Sequence, residues 1–238
     1  MPTIACLIGY TSFKFKNPLY ALDSSTIDLC LSVFDWAKFR RTKGGIKLHC
    51  LFDIKSQIPA FNVMTTAKEA DVTVAKTMKM HLTPDSIVTF DRAYIDFNLF
   101  QSYQDARCFF VTRTKSNLRF ELLGQLPIPK KKGLQFDHVV QIKNPFQRKK
   151  YPGKLRLIGY FDHKTNKTYQ FLTNNFVLAA TTIAQIYKAR WQVELFFKWI
   201  KQNLKIKSFL GTSKNAVLSQ IWVAMIYTLL LAYLKAQS

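Results

Sequence analysis

The 238-residue chain is 48% hydrophobic and carries 20 phenylalanines, which excludes general disorder and suits one sizeable core or one domain with an inserted subdomain. Lysine and arginine number 35 against 14 aspartates and glutamates, a formal charge of +21, so the expected partner is a polyanion or an anionic surface, nucleic acid being the commonest. Four cysteines (Cys6, Cys30, Cys50, Cys108) without a C-x-x-C pair, and four scattered histidines, argue against a zinc site or a disulfide framework; they fit a reducing cytoplasm and leave any metal chemistry to carboxylates, hence to Mg²⁺ or Mn²⁺.

The N-terminus shows neither the charged region nor the long apolar core of a signal peptide, so export is not expected. NPLYALD reads as a short apolar strand over 17–23 that ends at Asp23 and the hydroxyl cluster Ser24, Ser25 and Thr26. TIDLCLSVF then alternates its apolar residues at strand period. After a break at Gly44 and Gly45 come IKLHCLFDI and PAFNVMTT, which together predict an antiparallel meander. A helix is expected over 69–82, followed by SIVTFD, a buried strand that terminates in Asp91. A second helix should run through Ala106, and CFFVTR is another buried strand. This element order describes an α/β layer with mixed pairing.

From Lys115 to about Asn175 the chain becomes richer in proline and in basic clusters, PKKKG and FQRKKYPGK, between short strand-like runs. It reads as a β-rich insertion with a basic surface suited to phosphates. Near the end, Ala216 to Leu234 is an uncharged run long enough to span a bilayer, though Ser219, Gln220 and Thr228 favour a buried core helix. No internal repeat is found.

The stretch YKARWQVELFFKWIK, residues 187–201, organises the rest. On one continuous helix at about 100° per residue, Tyr187, Arg190, Glu194 and Lys201 share an arc of roughly 60°. Trp191, Val193, Leu195, Phe196, Phe197, Trp199 and Ile200 cover most of the remaining circumference, so the helix should be largely buried. Glu194 has a structural explanation in Arg190 and Lys198, each four residues away and worth about 0.2–0.5 kcal/mol as a surface pair. Its functional explanation joins it to Asp23 and Asp91 at strand ends. Three carboxylates gathered there would need divalent ions, and two Mg²⁺ about 3.5–4 Å apart would stabilise both oxygens of a phosphoryl transfer.

These residues carry a resemblance. TIAQIYKARWQVELFFKWIKQNLKIKSFLGTS resembles the signature of bacterial insertion-sequence transposases of the IS-four family, Tyr-x2-Arg-x3-Glu-x6-Lys, at Tyr187, Arg190, Glu194 and Lys201. ALDSST resembles the family's first acidic motif. VTFDRAY resembles the second, with Ala93 where glycine is usual. The resemblance implies an α/β, RNase H-like (retroviral integrase-like) core with a mixed sheet and a β-rich insertion before the glutamate-bearing helix. It divides as 1–114 (first part of the core), 115–176 (insertion) and 177–238 (helical remainder).

The resemblance further implies that Asp23, Asp91 and Glu194 form the metal-binding catalytic triad for two Mg²⁺ ions, with Mn²⁺ as a substitute. Tyr187, Arg190 and Lys201 would hold the transposon end, and Lys198 is a further DNA-binding residue. Cleavage at transposon ends and strand transfer into target DNA would follow, on double-stranded DNA, by a cytoplasmic homodimer assembled on paired ends without any membrane. Only 22 residues precede Asp23, and the chain stops soon after the signature, where the family carries further regions, so a truncated chain is expected. Its rivals are a DNA-binding remnant without transposition activity and a metal-dependent nuclease of the same fold.

Overall fold

The computed structural model describes residues 13–129, 133–203 and 209–237. They form two compact units, the first carried by Ala21–Val74 and Trp191–Ser238, the second by Phe15–Tyr20 and Ala75–Arg190.

In the first unit the strands are β1 (Leu19–Leu29, whose first two residues belong to the second unit), β2 (Lys38–Arg40), β3 (Lys43–Asp53) and β4 (Ile58–Thr66). Their order is β2-β3-β1, with β4 antiparallel on β3. β3 is buried along nearly its whole length, as a near-continuous apolar strand demands. Two expectations fail here. Residues 17–23 and 26–34 were expected as separate strands, yet β1 runs unbroken through the hydroxyl cluster, because hydrogen bonding within the sheet overrides the turn tendency of Asp-Ser-Ser. Asp23 therefore lies within a strand, not at its end. Gly44 and Gly45 do not break the chain either: both lie inside β3, where a Cβ on Gly44 would stand 2.7 Å from Leu31 Cδ2 and 3.0 Å from the Leu29 carbonyl oxygen. Close strand approach, not a turn, requires that glycine.

The second unit holds β5 (Ile87–Phe90), β6 (Phe109–Arg113), β7 (Phe120–Gln125), β8 (Leu134–Ile142), β9 (Leu155–Asp162) and β10 (Lys167–Thr173), in the order β5-β6-β10-β9-β8-β7. β5 and β6 are parallel; the other pairs are antiparallel, so this sheet is mixed. The strands of the basic stretch are thereby continuous with those flanking Asp91, through β10 on β6. Helix α1 (Asp71–Met78) carries the chain from one unit to the other, and α2 (Phe97–Asp105), α3 (Pro145–Lys150) and α4 (Ala180–Ala189) follow within the second. α3 is set by its sequence: Asn144 accepts a hydrogen bond from the Gln147 amide, and Pro145 occupies the first turn. An aromatic cluster fills this core, with Phe100 and Phe110 stacked at 4.2 Å and Phe90, Tyr103 and Tyr151 around them. Each such pair adds about 0.5–1.5 kcal/mol beyond its buried area.

The expected single helix over 187–201 is two helices, α4 and α5 (Trp191–Asn203). Arg190 keeps right-handed helical angles, but its amide bonds the Tyr187 carbonyl three residues back at 3.2 Å, a tightened turn that ends the regular ladder. α5 buries Val193, Phe196, Phe197, Trp199 and Ile200, while Trp191 is 57% exposed.

The C-terminal helix α6 (Lys214–Gln237) departs from the expected buried core helix. Among the described residues of the helix, the stripe Val217, Ile221, Ala224, Met225 and Thr228 is buried; Trp222, Val223, Ile226, Leu230, Tyr233 and Leu234 are exposed. The sequence is apolar all round, so its pattern could not reveal which face packs. By length and composition Lys214–Leu234 could cross a bilayer, a test that core helices also pass.

Candidate functional site

In the second unit, β5 delivers Asp91 immediately after four buried residues. Asp91 Oδ1 accepts a hydrogen bond from the Ala93 amide at 2.7 Å and so caps a single 3₁₀ turn, Arg92–Tyr94. Ala93 is not among the described non-glycine residues with positive φ, so alanine in place of the usual glycine costs no left-handed strain. The parallel register pairs Thr89 with Val111. Two residues further on, Asp91 and Arg113 leave their strands together, at the carboxyl ends where α/β sheets gather ligands.

Tyr187 and Arg190, on and just after the last turn of α4, belong to the same neighbourhood. The Arg190 guanidinium lies 5.7 Å from the Tyr187 ring centre, and Phe171 of β10 packs on the other partner's ring at 5.1 Å. Burial pushes the Tyr187 phenol up; the charges of Arg190 and Arg113 and a hydrogen bond from Arg190 oppose that, and the Asp91 carboxylate adds to it. Asp91, Arg113 and Arg190 therefore all act on Tyr187. At neutral pH Tyr187 is a protonated phenol, able to donate to a phosphate oxygen or to stack on a base.

Sequence reading missed Arg113 and Tyr169. The Arg113 guanidinium sits 4.8 Å over the Tyr169 ring, and Tyr169 stacks on Phe171 at 6.2 Å, which makes a second arginine–tyrosine pair beside Tyr187 and Arg190. Its signal was the arginine ending CFFVTR, which follows VTFD at the distance of one βαβ crossover.

The hold of Asp137 and Arg156 on the loop leading into α4 was missed as well. Asp137 and Arg156 are both buried and paired, with Arg156 Nε 2.8 Å from Asp137 Oδ1. Arg156 Nη1 also donates to the carbonyls of Asn175 and Leu178. Asn174 Oδ1 accepts from the Phe110 amide, and Asn175 Oδ1 accepts from the amides of Val177 and Leu178. The FLTNN segment is thus a polar clasp that sets the start of the helix bearing Tyr187.

In the first unit, Asp23 is half-buried in β1, its Oδ1 accepting from the Ser24 amide at 2.8 Å. Burial raises the Cys50 thiol well above its ordinary value and the Asp23 charge raises it further, so Cys50 of β3 stays neutral beside Asp23. Ser24 Oγ donates to Asp71 Oδ1 at 2.7 Å, and Lys47 Nζ lies 3.2 Å from the same oxygen. Glu194 is half-buried in the first turn of α5, where the helix dipole favours a carboxylate. Lys201, on the same helix, donates to the Thr26 carbonyl of β1 at 2.7 Å, three residues along the strand from Asp23. Phe52 and Phe196 pack at 5.1 Å behind this contact. Lys198 is exposed.

Asp91, Tyr187 and Arg190 thus share one unit, while Asp23, Glu194, Lys198 and Lys201 share the other. Among the described residues no group of three or more histidine, cysteine, aspartate or glutamate side chains is drawn together to hold a metal ion.

The chain is 35% identical over 217 residues to "Putative transposase y4zB" of Sinorhizobium fredii, covering 89% of this chain and 60% of that protein. It is 29% identical over 230 residues to "Probable transposase for insertion sequence element IS5377" of Geobacillus stearothermophilus, covering 95% of this chain and 59% of the relative. The chain therefore spans about three-fifths of the length of these relatives. A solved structure of the piggyBac transposase synaptic complex with hairpin DNA shares the fold at a TM-score of 0.53 and 12% identity, over 92% of this chain and 48% of that one. The family model for the transposase DDE domain matches residues 14–230, nearly the whole chain, and the protein belongs to that family.

Proposed function

We propose that this chain is the RNase H-like catalytic part of an insertion-sequence DNA transposase, which cuts DNA at transposon ends and joins the freed ends to target DNA. The observation that carries the proposal is the neighbourhood of Asp91, Arg113, Tyr187 and Arg190 at the ends of parallel strands, within a chain matched to the transposase DDE domain over residues 14–230. An acid among guanidinium and phenol groups suits a phosphodiester whose reacting phosphorus must be held while its oxygens are gripped.

In this reading Asp23, Asp91 and Glu194 hold divalent metal. Their chemistry fits a hard ion: three carboxylates, no thiolate or imidazole, and in each case partial exposure. When bound, two Mg²⁺ ions would supply the positive charge that offsets the triad and the charge developing on the transferred phosphoryl group. Arg190 forks onto a phosphate, Tyr187 donates to it or stacks on an unpaired base, and Lys201 adds a point charge. An ammonium has three donors, so the Lys201 bond to Thr26 does not preclude a phosphate contact. Lys198 adds a further phosphate contact, and Arg148, Lys149 and Lys150 make the last turn of α3 a basic segment suited to the DNA backbone.

The chemistry has two steps. Water attacks the phosphorus at the transposon end and gives up a proton as the new P–O bond forms; the P–O3′ bond breaks, and the departing 3′-oxygen takes up a proton to become a hydroxyl. That hydroxyl then attacks a target phosphodiester, and the target's own 3′-oxygen leaves. A homodimer acting on two ends in the bacterial cytoplasm completes the proposal.

The test is incubation with Mn²⁺ and a plasmid carrying the gene with its flanking DNA, reading both cleavage and strand-transfer products. Native protein should yield both. Glu194→Gln should yield neither while keeping salt-sensitive DNA binding; unchanged cleavage by that variant would refute the assignment, and cleavage by the native protein without joining would leave a nuclease.

A further inference from the structure

We infer that Asp71 is a positioning residue for Asp23, acting through Ser24. The inference rests on the reading of Asp23 as a metal-holding carboxylate. Asp23 lies in the middle of β1, and its Oδ1 is held by the backbone amide of the next residue, Ser24. That hold is only as firm as the peptide that makes it. Ser24 Oγ donates at 2.7 Å to Asp71, a residue 47 positions away that opens α1. A hydroxyl bonded to an ionised carboxylate is a short, strong contact, so the peptide that orients Asp23 is clamped from outside its own strand.

Asp71 is itself held. Lys47 Nζ lies 3.2 Å from its Oδ1 and donates to the Glu69 carbonyl at 2.9 Å, which fastens the entry to α1 onto β3. His49, buried on the same strand, stands with Nδ1 3.6 Å from Asp71 Oδ1, beyond hydrogen-bond reach. Its Nε2 is 3.0 Å from Thr65 Oγ1, and that hydroxyl donates to the Thr66 carbonyl, so Nε2 must carry the proton and Nδ1 must be bare. The histidine thus walls the cluster as a neutral ring, and the orientation of Asp71 falls to Lys47 and Ser24. Nothing in the proposed chemistry uses Ser24, Lys47, His49 or Asp71 directly. Lys47 and His49 face Asp71, and Asp71 in turn holds Ser24, the residue next to Asp23.

Groups that orient a metal-holding carboxylate typically change metal affinity about 10–100-fold when removed. The experiment is Mn²⁺ binding to the whole chain with a short DNA duplex present, followed by electron paramagnetic resonance, with circular dichroism as a check on folding. Ser24→Ala and Asp71→Ala should each weaken Mn²⁺ binding about 10–100-fold. Asp71→Asn, whose amide oxygen can still accept the Ser24 hydroxyl, should recover most of the loss, which a purely structural role for the charge would not allow. If Asp71→Ala unfolds, Ser24→Ala decides, since it removes a single hydroxyl. Native affinity in folded Ser24→Ala, together with lost binding in Asp23→Asn, would overturn the inference and leave the metal reading standing. Native affinity in Asp23→Asn would sink both.

Discussion

Replacing Arg156 with leucine should destabilise the second unit severely. Arg156 and Asp137 are 5% and 2% exposed, so the substitution leaves a carboxylate charged, buried and unpaired. Breaking a buried pair from one side costs about 3–5 kcal/mol, more than the pair is worth against two apolar residues. The guanidinium also satisfies the carbonyls of Asn175 and Leu178, each of which loses a partner worth about 1–3 kcal/mol if left buried. Taking the pair alone and a urea slope of about 3 kcal/mol/M, the midpoint should fall by about 1–1.7 M. The double variant Asp137→Leu, Arg156→Leu should recover part of that loss, because no charge is stranded, but not all, because the two carbonyls remain unmet. The assay is urea unfolding, by fluorescence, of Arg156→Leu, Asp137→Leu and the double variant. If the double variant is as unstable as the sum of the singles, Asp137 and Arg156 are uncoupled and the clasp reasoning is wrong.

His49 is buried with its pKa lowered from 6.5 to about 4, chiefly by burial. The unfolded chain then takes up a proton at higher pH than the folded one, so stability is intact above about pH 6.5 and declines as pH falls towards 4, by about 3 kcal/mol in all; His49→Asn should flatten that part of a stability–pH curve. Arg113→Ala should weaken binding to duplex DNA and reduce the slope of log affinity against log salt by about 1, as read by fluorescence anisotropy at several salt concentrations. On α6 the two faces should separate in thermal denaturation. Ile221→Ala should cost about 2–5 kcal/mol, whereas Ile226→Gln, on the exposed face, should stay within about 0.5 kcal/mol.

Strands β3 to β6 were legible because each is a compact apolar run bounded by turn residues, and Asp91 was legible because it follows one of them. Asp23 was misplaced for the opposite reason: Ser24, Ser25 and Thr26 look like a turn locally and become strand only through neighbours in the sheet. The 187–201 helix was read correctly as helical but wrongly as continuous, since nothing in the local propensity of Ala189, Arg190 and Trp191 marks the tightened turn. α6 carried apolar residues on every side and therefore no periodic signal for its packed stripe. The signature residues were singled out by their spacing. Arg113, Tyr169, Arg156 and Asp71 were not, because their roles come from partners distant in sequence.

The proposed role of Asp23, Asp91 and Glu194 in holding divalent metal is tested most directly by calorimetric titration of Mn²⁺ into the protein with a short DNA duplex. The native chain, Asp91→Ala and Glu194→Gln should be compared under identical conditions. The native chain should bind, and both variants should bind clearly more weakly. Binding unchanged by either substitution, or no binding by the native protein, would contradict it.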